Sequence, residues 1–158
     1  MPIIKAIDPV LFIFMIRDFS KWHYLKQNID NKYSEKLFRE REIWWCSLGV
    51  NVGFEQDGKH AYFERPILVL RKFNKGMFWG LPLTSRPKQG FYYFSFSWKD
   101  ATATVLLSQL RVLSSKRLIR RVGKINHRTF SDIRYKVIEL LKIKNEPILE
   151  GSRVPDGN

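Results

Sequence analysis

"RPILVLRKFNKGMFWGLPLTS", Arg65 to Ser85, holds two apolar runs separated by a short polar tetrapeptide. ILVL and MFWGLPL are strand-length and rich in aliphatic and aromatic residues. Phe-Asn-Lys-Gly, residues 73–76, contains Asn and Gly, both able to take positive φ, so it reads as a hairpin turn. Strands are expected over Pro66–Lys72 and Met77–Leu83, and Pro82 argues for an edge or a bulge near the end of the second. A hairpin brings its far ends together. Arg65 and Thr84 therefore become neighbours, a cation beside a hydroxyl, despite 19 positions of separation.

Further strand signals flank this pair. Ile43–Leu48 is dense in Trp, Phe91–Trp98 is FYYFSFSW, Thr102–Leu107 follows after a Lys99-Asp100 connection, and Leu118–Ile125 is a last short run. Val50–Glu64 is a long loop with turn-capable Gly53 and Gly58. Five or six short strands with brief turns and no intervening helix imply a compact antiparallel barrel or a curled sheet, and argue against a parallel βαβ sheet.

Both ends read differently. Asp18–Asn28 has Phe19, Trp22 and Leu25 at three-residue spacing, the pattern of a short amphipathic helix. After Ile125 the period becomes helical: Asn126 is a good N-cap, and Phe130, Ile133, Val137, Leu140 and Leu141 follow at three- and four-residue steps, ending near Ile143 with Pro147 marking the exit. The expected organisation is a partly helical N-terminal extension over 1–40, a barrel with its C-terminal helix over 41–145, and a flexible tail over 146–158. Met15 is a plausible start codon, which would make Met1–Phe14 an upstream extension. Pro9–Ile16 is too short to span a bilayer, and no small-residue cleavage site follows it, so neither membrane insertion nor export is expected.

The net charge of the 158-residue chain is +13, and its location matters more than its size. Residues 65–131 carry 14 Lys/Arg against one acid, Asp100, while the remainder is balanced at 14 of each sign. Such an excess suits a polyanion, whose phosphates release counterions on contact, or an acidic protein partner. The lone cysteine, Cys46, excludes an intrachain disulfide framework, fits a reducing cytoplasm, and reads as a buried thiol. No His/Cys/Asp spacing suggests a metal site, and no cofactor motif is present.

Taken together, "IWWCSLGVNVGFEQDGKHAYFERPILVL", "LPLTS" and "LLSQLRVLSSKRLIRRVGKI" resemble the PemK/MazF family of type II toxin–antitoxin toxins. The carriers are a G-x-E-Q-x-G loop, an R-P-x-L-V-L strand, a P-L-T-S strand end and an S/D-Q-x-R segment before a C-terminal helix, in order from about Glu42 to Leu141. The resemblance implies a small SH3-like (CcdB/PemK/MazF-like) barrel that forms a homodimer. It implies a metal-independent endoribonuclease that cuts single-stranded RNA, mRNA above all, and is silenced by an acidic antitoxin protein. The family's cleavage pair falls on Arg65 and Thr84, and the loop carboxylate on Glu55. Two departures stand out: the loop between Gly58 and Arg65 (KHAYFE) is longer, and Ser108 replaces an acid that some members carry.

The residues suit that chemistry. When a 2′-oxygen attacks its neighbouring phosphorus, an enzyme must take the hydroxyl proton, protonate the leaving 5′-oxygen and stabilise extra charge, leaving 2′,3′-cyclic phosphate and 5′-OH ends. Arg65 can grip two phosphoryl oxygens but is a poor base. Thr84 can donate a hydroxyl hydrogen bond, with Ser85 as a substitute. Glu55 is a candidate acceptor of the 2′-OH proton, or else a structural carboxylate. Gln56 either reads a base edge or braces its loop, and His60 either meets substrate or is solvated. Arg86, Gln109, Arg111, Lys116, Arg117 and Arg120 complete the expected RNA track, although Arg120 and Arg121 must point to opposite faces of a strand. Three rivals remain at this level: a gyrase-inhibitor-like toxin acting through its C-terminal helix, a barrel that binds RNA without cutting it, and a structural barrel module of a larger assembly.

Overall fold

The computed structural model describes residues 17–33 and 36–142. The expectations for Met1–Phe14, Met15, Ile143, Pro147 and the 146–158 tail lie outside the described residues. Helix α1 spans Phe19–Asp30. Seven strands follow: β1 (Glu42–Ser47), β2 (Glu64–Lys72), β3 (Met77–Thr84), β4 (Tyr93–Trp98), β5 (Ala101–Leu106), β6 (Arg111–Ser114) and β7 (Leu118–Lys124). Helix α2 spans His127–Leu141. All pairings are antiparallel, in the order β4-β5-β3-β2-β1-β7, with β6 beside β3. The sheet is mostly β with a helix at each end, coiled rather than closed edge to edge.

The apolar centres of β1 and β2 and the second half of β3 are buried on both faces, while Met77 and Trp79 at the start of β3 stay exposed on one. Alternate residues enter opposite cores. Ile43, Leu68, Leu70, Leu81 and Leu83 join Phe130, Ile133 and Val137 of α2. Trp44, Cys46, Ile67, Val69 and Phe78 pack with Phe38, Leu113 and Leu118. Burial pushes the Cys46 thiol up to about 12, against the pull of Arg117 and Arg111.

The 73–76 turn forms as expected by a different device. Neither Asn74 nor Gly76 has positive φ; Asn74 Oδ1 instead accepts from Gly76 N at 2.8 Å, and Phe73 N donates to the Met77 carbonyl at 3.1 Å. Pro82 is not at the bulge, since the register shift of this ladder lies between Val69 and Arg71, but it does sit at a local edge, paired on one side only. Pro82 faces Ile67 on one side. On the other it falls in the gap where β3 leaves β6, at Gly80, and meets β5, at Leu83, so its missing N–H breaks no ladder bond there.

α1 is capped by Asp18, whose side chain accepts from Lys21 N at 2.8 Å. It buries Trp22 and Ile29 rather than Phe19, which stays half exposed. The indole of Trp22 occupies the space over Gly49, where a Cβ would stand 2.3 Å from the ring, and meets Phe63 edge-on at 5.7 Å. Asn126 caps α2 as expected, accepting from Thr129 N at 2.8 Å.

Candidate active site at the mouth of the sheet

Arg65 is the second residue of β2 and only 8% exposed. Its guanidinium is held from three directions. Nε donates to the Asp57 carbonyl at 2.7 Å and Nη1 to the Leu83 carbonyl at 3.3 Å. With the Gln56 amide turned so that its oxygen faces these donors, Oε1 accepts from Arg65 Nη2 at 2.9 Å and from Asp57 N at 3.2 Å. Burial lowers the Arg65 pKa from its ordinary value, and the nearby Asp57 charge only partly opposes this. Three of the five N–H groups of this desolvated guanidinium are engaged within the fold, and Arg65 also lines an adjoining cavity.

That cavity has a volume of about 370 Å³ and is lined by both ends of the β2–β3 hairpin: Arg65 on one side, Leu83, Thr84 and Ser85 on the other. The hairpin logic of the sequence thus places the cation and the hydroxyl in one hollow. Thr84 Oγ1 accepts from Arg86 N at 3.2 Å, which fixes the oxygen and leaves the hydroxyl proton free to donate. Ser85 is exposed at the rim. Trp45, Lys59, His60, Glu64 and Pro66 complete the wall. Of these, the sequence flagged only His60, and then with a solvated alternative; the extra length of KHAYFE was the one signal for Lys59 and His60.

The other expected residues lie elsewhere. Glu55 is exposed, accepts from Val52 N at 3.3 Å, and lines a separate hollow with Phe54, Gln109 and Arg111. Gln56 braces Arg65 and the loop. Gln109 ties that loop to the sheet: its Oε1 accepts from Gln56 N at 3.0 Å and its Nε2 donates to the Phe54 carbonyl at 3.1 Å. Arg86 is exposed next to Thr84.

The basic run expected to track RNA is largely occupied within the fold. Lys116 pairs with Asp30 of α1 at 3.5 Å. Arg117 donates to the Ser47 carbonyl at 3.0 Å and lies 5.4 Å over the Trp22 ring, and desolvation lowers its pKa. Arg120 grips the buried Glu64 carboxylate with two bonds of 2.9 and 3.0 Å while stacking 4.8 Å over Trp45. Arg121 pairs with Glu42 at 3.1 Å. Arg120 and Arg121 thus diverge as strand geometry requires, each neutralising a buried carboxylate.

Among the described residues no group of three or more His, Cys, Asp or Glu side chains gathers as a metal site, and no helix is long and apolar enough to cross a membrane.

Comparison with known proteins follows the same outline. In sequence, no curated protein matches the chain. In structure, the chain is similar to MazF from Deinococcus radiodurans, with a TM-score of 0.54 and 20% identity over 67% of this chain and 97% of that one. It is also similar to an endoribonuclease in complex with its cognate antitoxin from a mycobacterial species, with a TM-score of 0.53 and 14% identity over 66% of this chain and 95% of that one. At these identities the likeness establishes the fold. The model of the PemK-like, MazF-like toxins of type II toxin–antitoxin systems matches residues 39–141, from just before β1 to the end of α2. The chain belongs to that toxin family.

Proposed function

We propose that this toxin is an endoribonuclease that cleaves single-stranded RNA by attack of a 2′-oxygen on the adjacent phosphorus. One observation carries the reading: a buried guanidinium and an oriented hydroxyl converge on one cavity large enough for a phosphodiester. Arg65, clamped by Asp57, Leu83 and Gln56, meets two phosphoryl oxygens and stabilises the charge that builds up in the pentacoordinate transition state. Its binding geometry is set before substrate arrives, so no reorganisation is needed during reaction. Thr84 donates to the same phosphate, and Ser85 contacts it from the rim. The charge is met by a fixed cation, so the reading requires no metal. DNA lacks the 2′-nucleophile and is not a substrate.

In this reading the toxin works as a homodimer in the cytoplasm and is held in check by an acidic antitoxin protein. The chain's +13 charge favours both RNA and an acidic partner. The mycobacterial endoribonuclease, seen with its cognate antitoxin, supports the second. Glu55 faces another hollow and is assigned to its own loop rather than to the phosphate. The test is incubation of a long transcribed RNA with wild type and Thr84→Ala in the presence of a chelator. Wild type cuts, and Thr84→Ala loses about 10-fold or more, as expected for one lost hydrogen bond to a charged transition state. An inert wild type, or unaltered cleavage by Thr84→Ala, contradicts the reading.

A further inference from the structure

We infer that His60, in the loop between Gly58 and Arg65, is the group that takes the 2′-hydroxyl proton. The inference rests on the endoribonuclease reading above.

Glu64 is the only carboxylate on the cavity wall, and both its oxygens are bound by Arg120 at 2.9 and 3.0 Å. Arg65 is a guanidinium, and Thr84 and Ser85 carry hydroxyls, none of which accepts a proton at neutral pH. A lysine ammonium such as that of Lys59 suits phosphate binding rather than proton acceptance. Glu55 lines a different hollow. The remaining basic group is an imidazole, the side-chain type whose ordinary titration range spans neutrality.

The backbone supplies the second line. Residues 59–64 form a miniature hairpin in which Lys59 N donates to the Glu64 carbonyl at 2.9 Å and Glu64 N to the Lys59 carbonyl at 2.8 Å. Within it Phe63 N donates to the His60 carbonyl at 3.1 Å. His60 and Phe63 both sit in the left-handed region, at φ 61° and 45°. Each such non-glycine residue costs about 1–2 kcal/mol and persists only where its surroundings demand it. Here they do. Phe63 is anchored on Trp22, and the Phe63 carbonyl lies against Gly58, where a Cβ would stand 1.7 Å from it. The strained turn holds His60 in the wall of the same cavity that Arg65 and Thr84 line.

The step balances without any added reagent. The imidazole lone pair takes the 2′-OH proton as the 2′-oxygen forms its bond to phosphorus. The phosphorus–O5′ bond breaks, and the departing oxygen is protonated by water. The imidazolium then returns its proton to the resulting hydroxide. Charged groups facing the imidazole from the cavity wall are Lys59, Glu64 and Arg65, with Arg120 behind Glu64.

The experiment compares wild type with His60→Asn and His60→Gly on transcribed RNA with a chelator, across pH 5 to 9. Asn and Gly both tolerate left-handed backbone, so the turn is preserved while the base is removed, and an unchanged melting temperature verifies this. The expected result is a fall of about 10²–10⁴-fold in kcat with KM within about threefold, the size of a lost general base. The dependence of rate on pH changes shape in both variants, because only wild type carries an imidazole that can accept the proton. Added imidazole restores part of the activity of His60→Gly. If wild type cuts and either variant keeps wild-type kcat and pH profile, this inference falls alone. If wild type itself does not cut, the endoribonuclease reading falls and takes the inference with it.

Discussion

Replacing Arg65 perturbs the fold and the chemistry by separable amounts. Its guanidinium satisfies the Asp57 carbonyl, the Leu83 carbonyl and the Gln56 side-chain oxygen at 2.7, 3.3 and 2.9 Å. Hydrogen bonds from a charged donor contribute about 1.5–3 kcal/mol each, which for three bonds would sum to about 4.5–9 kcal/mol. Two effects reduce that total. Burial already disfavours the charged form, as the lowered pKa indicates, so removing the charge relieves a desolvation penalty. The adjoining cavity also admits water to the freed carbonyls. The expected cost of Arg65→Ala is therefore about 2 kcal/mol, which for a chain of this size lowers Tm by about 4–8 °C. Arg65→Lys keeps the charge but cannot fork to three acceptors, and is expected to lose about half as much. Cleavage suffers more than stability: both variants lose about 10²–10³-fold in kcat, the effect of removing one transition-state donor. Thermal melts and RNA cleavage on the same preparations measure the two parts. A destabilised Arg65→Ala that still cuts at the wild-type rate would refute the phosphate role, and an unshifted Tm would refute the clamp.

Three further outcomes follow from the geometry. Gly58→Ala drives a Cβ against the Phe63 carbonyl and should open the 59–64 turn, costing about 2–4 kcal/mol and most of the cleavage activity; circular dichroism melts and RNA assays register both. Trp22→Ala removes the anchor between α1, Gly49 and Phe63, and should cost about 3 kcal/mol, with amide exchange accelerating across α1 and residues 59–64. Cys46 has a folded-state pKa raised from 9.0 to about 12, so its contribution to stability is complete below pH 9 and falls as pH rises toward 12. Denaturant midpoints for wild type should drop over that window more steeply than for Cys46→Ala, and thiol reagents should label the native protein only after unfolding.

The hairpin that pairs Arg65 with Thr84 was legible because strand length and turn position together fix which ends meet. The α2 cap at Asn126 was legible because capping is local. β6 was not: RVLS is four residues long, opens with an arginine, and gains its pairing only from β3. Nor did the sequence reveal the fate of the basic run. Asp30, Glu42 and Glu64 lie tens of positions from Lys116, Arg121 and Arg120; β1 beside β7 brings Glu42 to Arg121, and β1 between β2 and β7 brings Glu64 within reach of Arg120. Glu55 and Gln56 are adjacent in the chain, yet the loop sends one to a separate hollow and the other to Arg65. Phe19 matched the apolar spacing of α1, but Ile29, one helical turn beyond Leu25, completes the buried face instead.

The most direct measurement of the central claim is the end chemistry of RNA cut by wild-type protein in the presence of a chelator. Attack by a 2′-oxygen at the Arg65–Thr84 cavity predicts 2′,3′-cyclic phosphate and 5′-hydroxyl ends, and complete resistance where a single 2′-deoxynucleotide replaces the residue at the cut. Fragments bearing 5′-phosphate and 3′-hydroxyl ends, or cleavage that persists at the deoxy position, would contradict it.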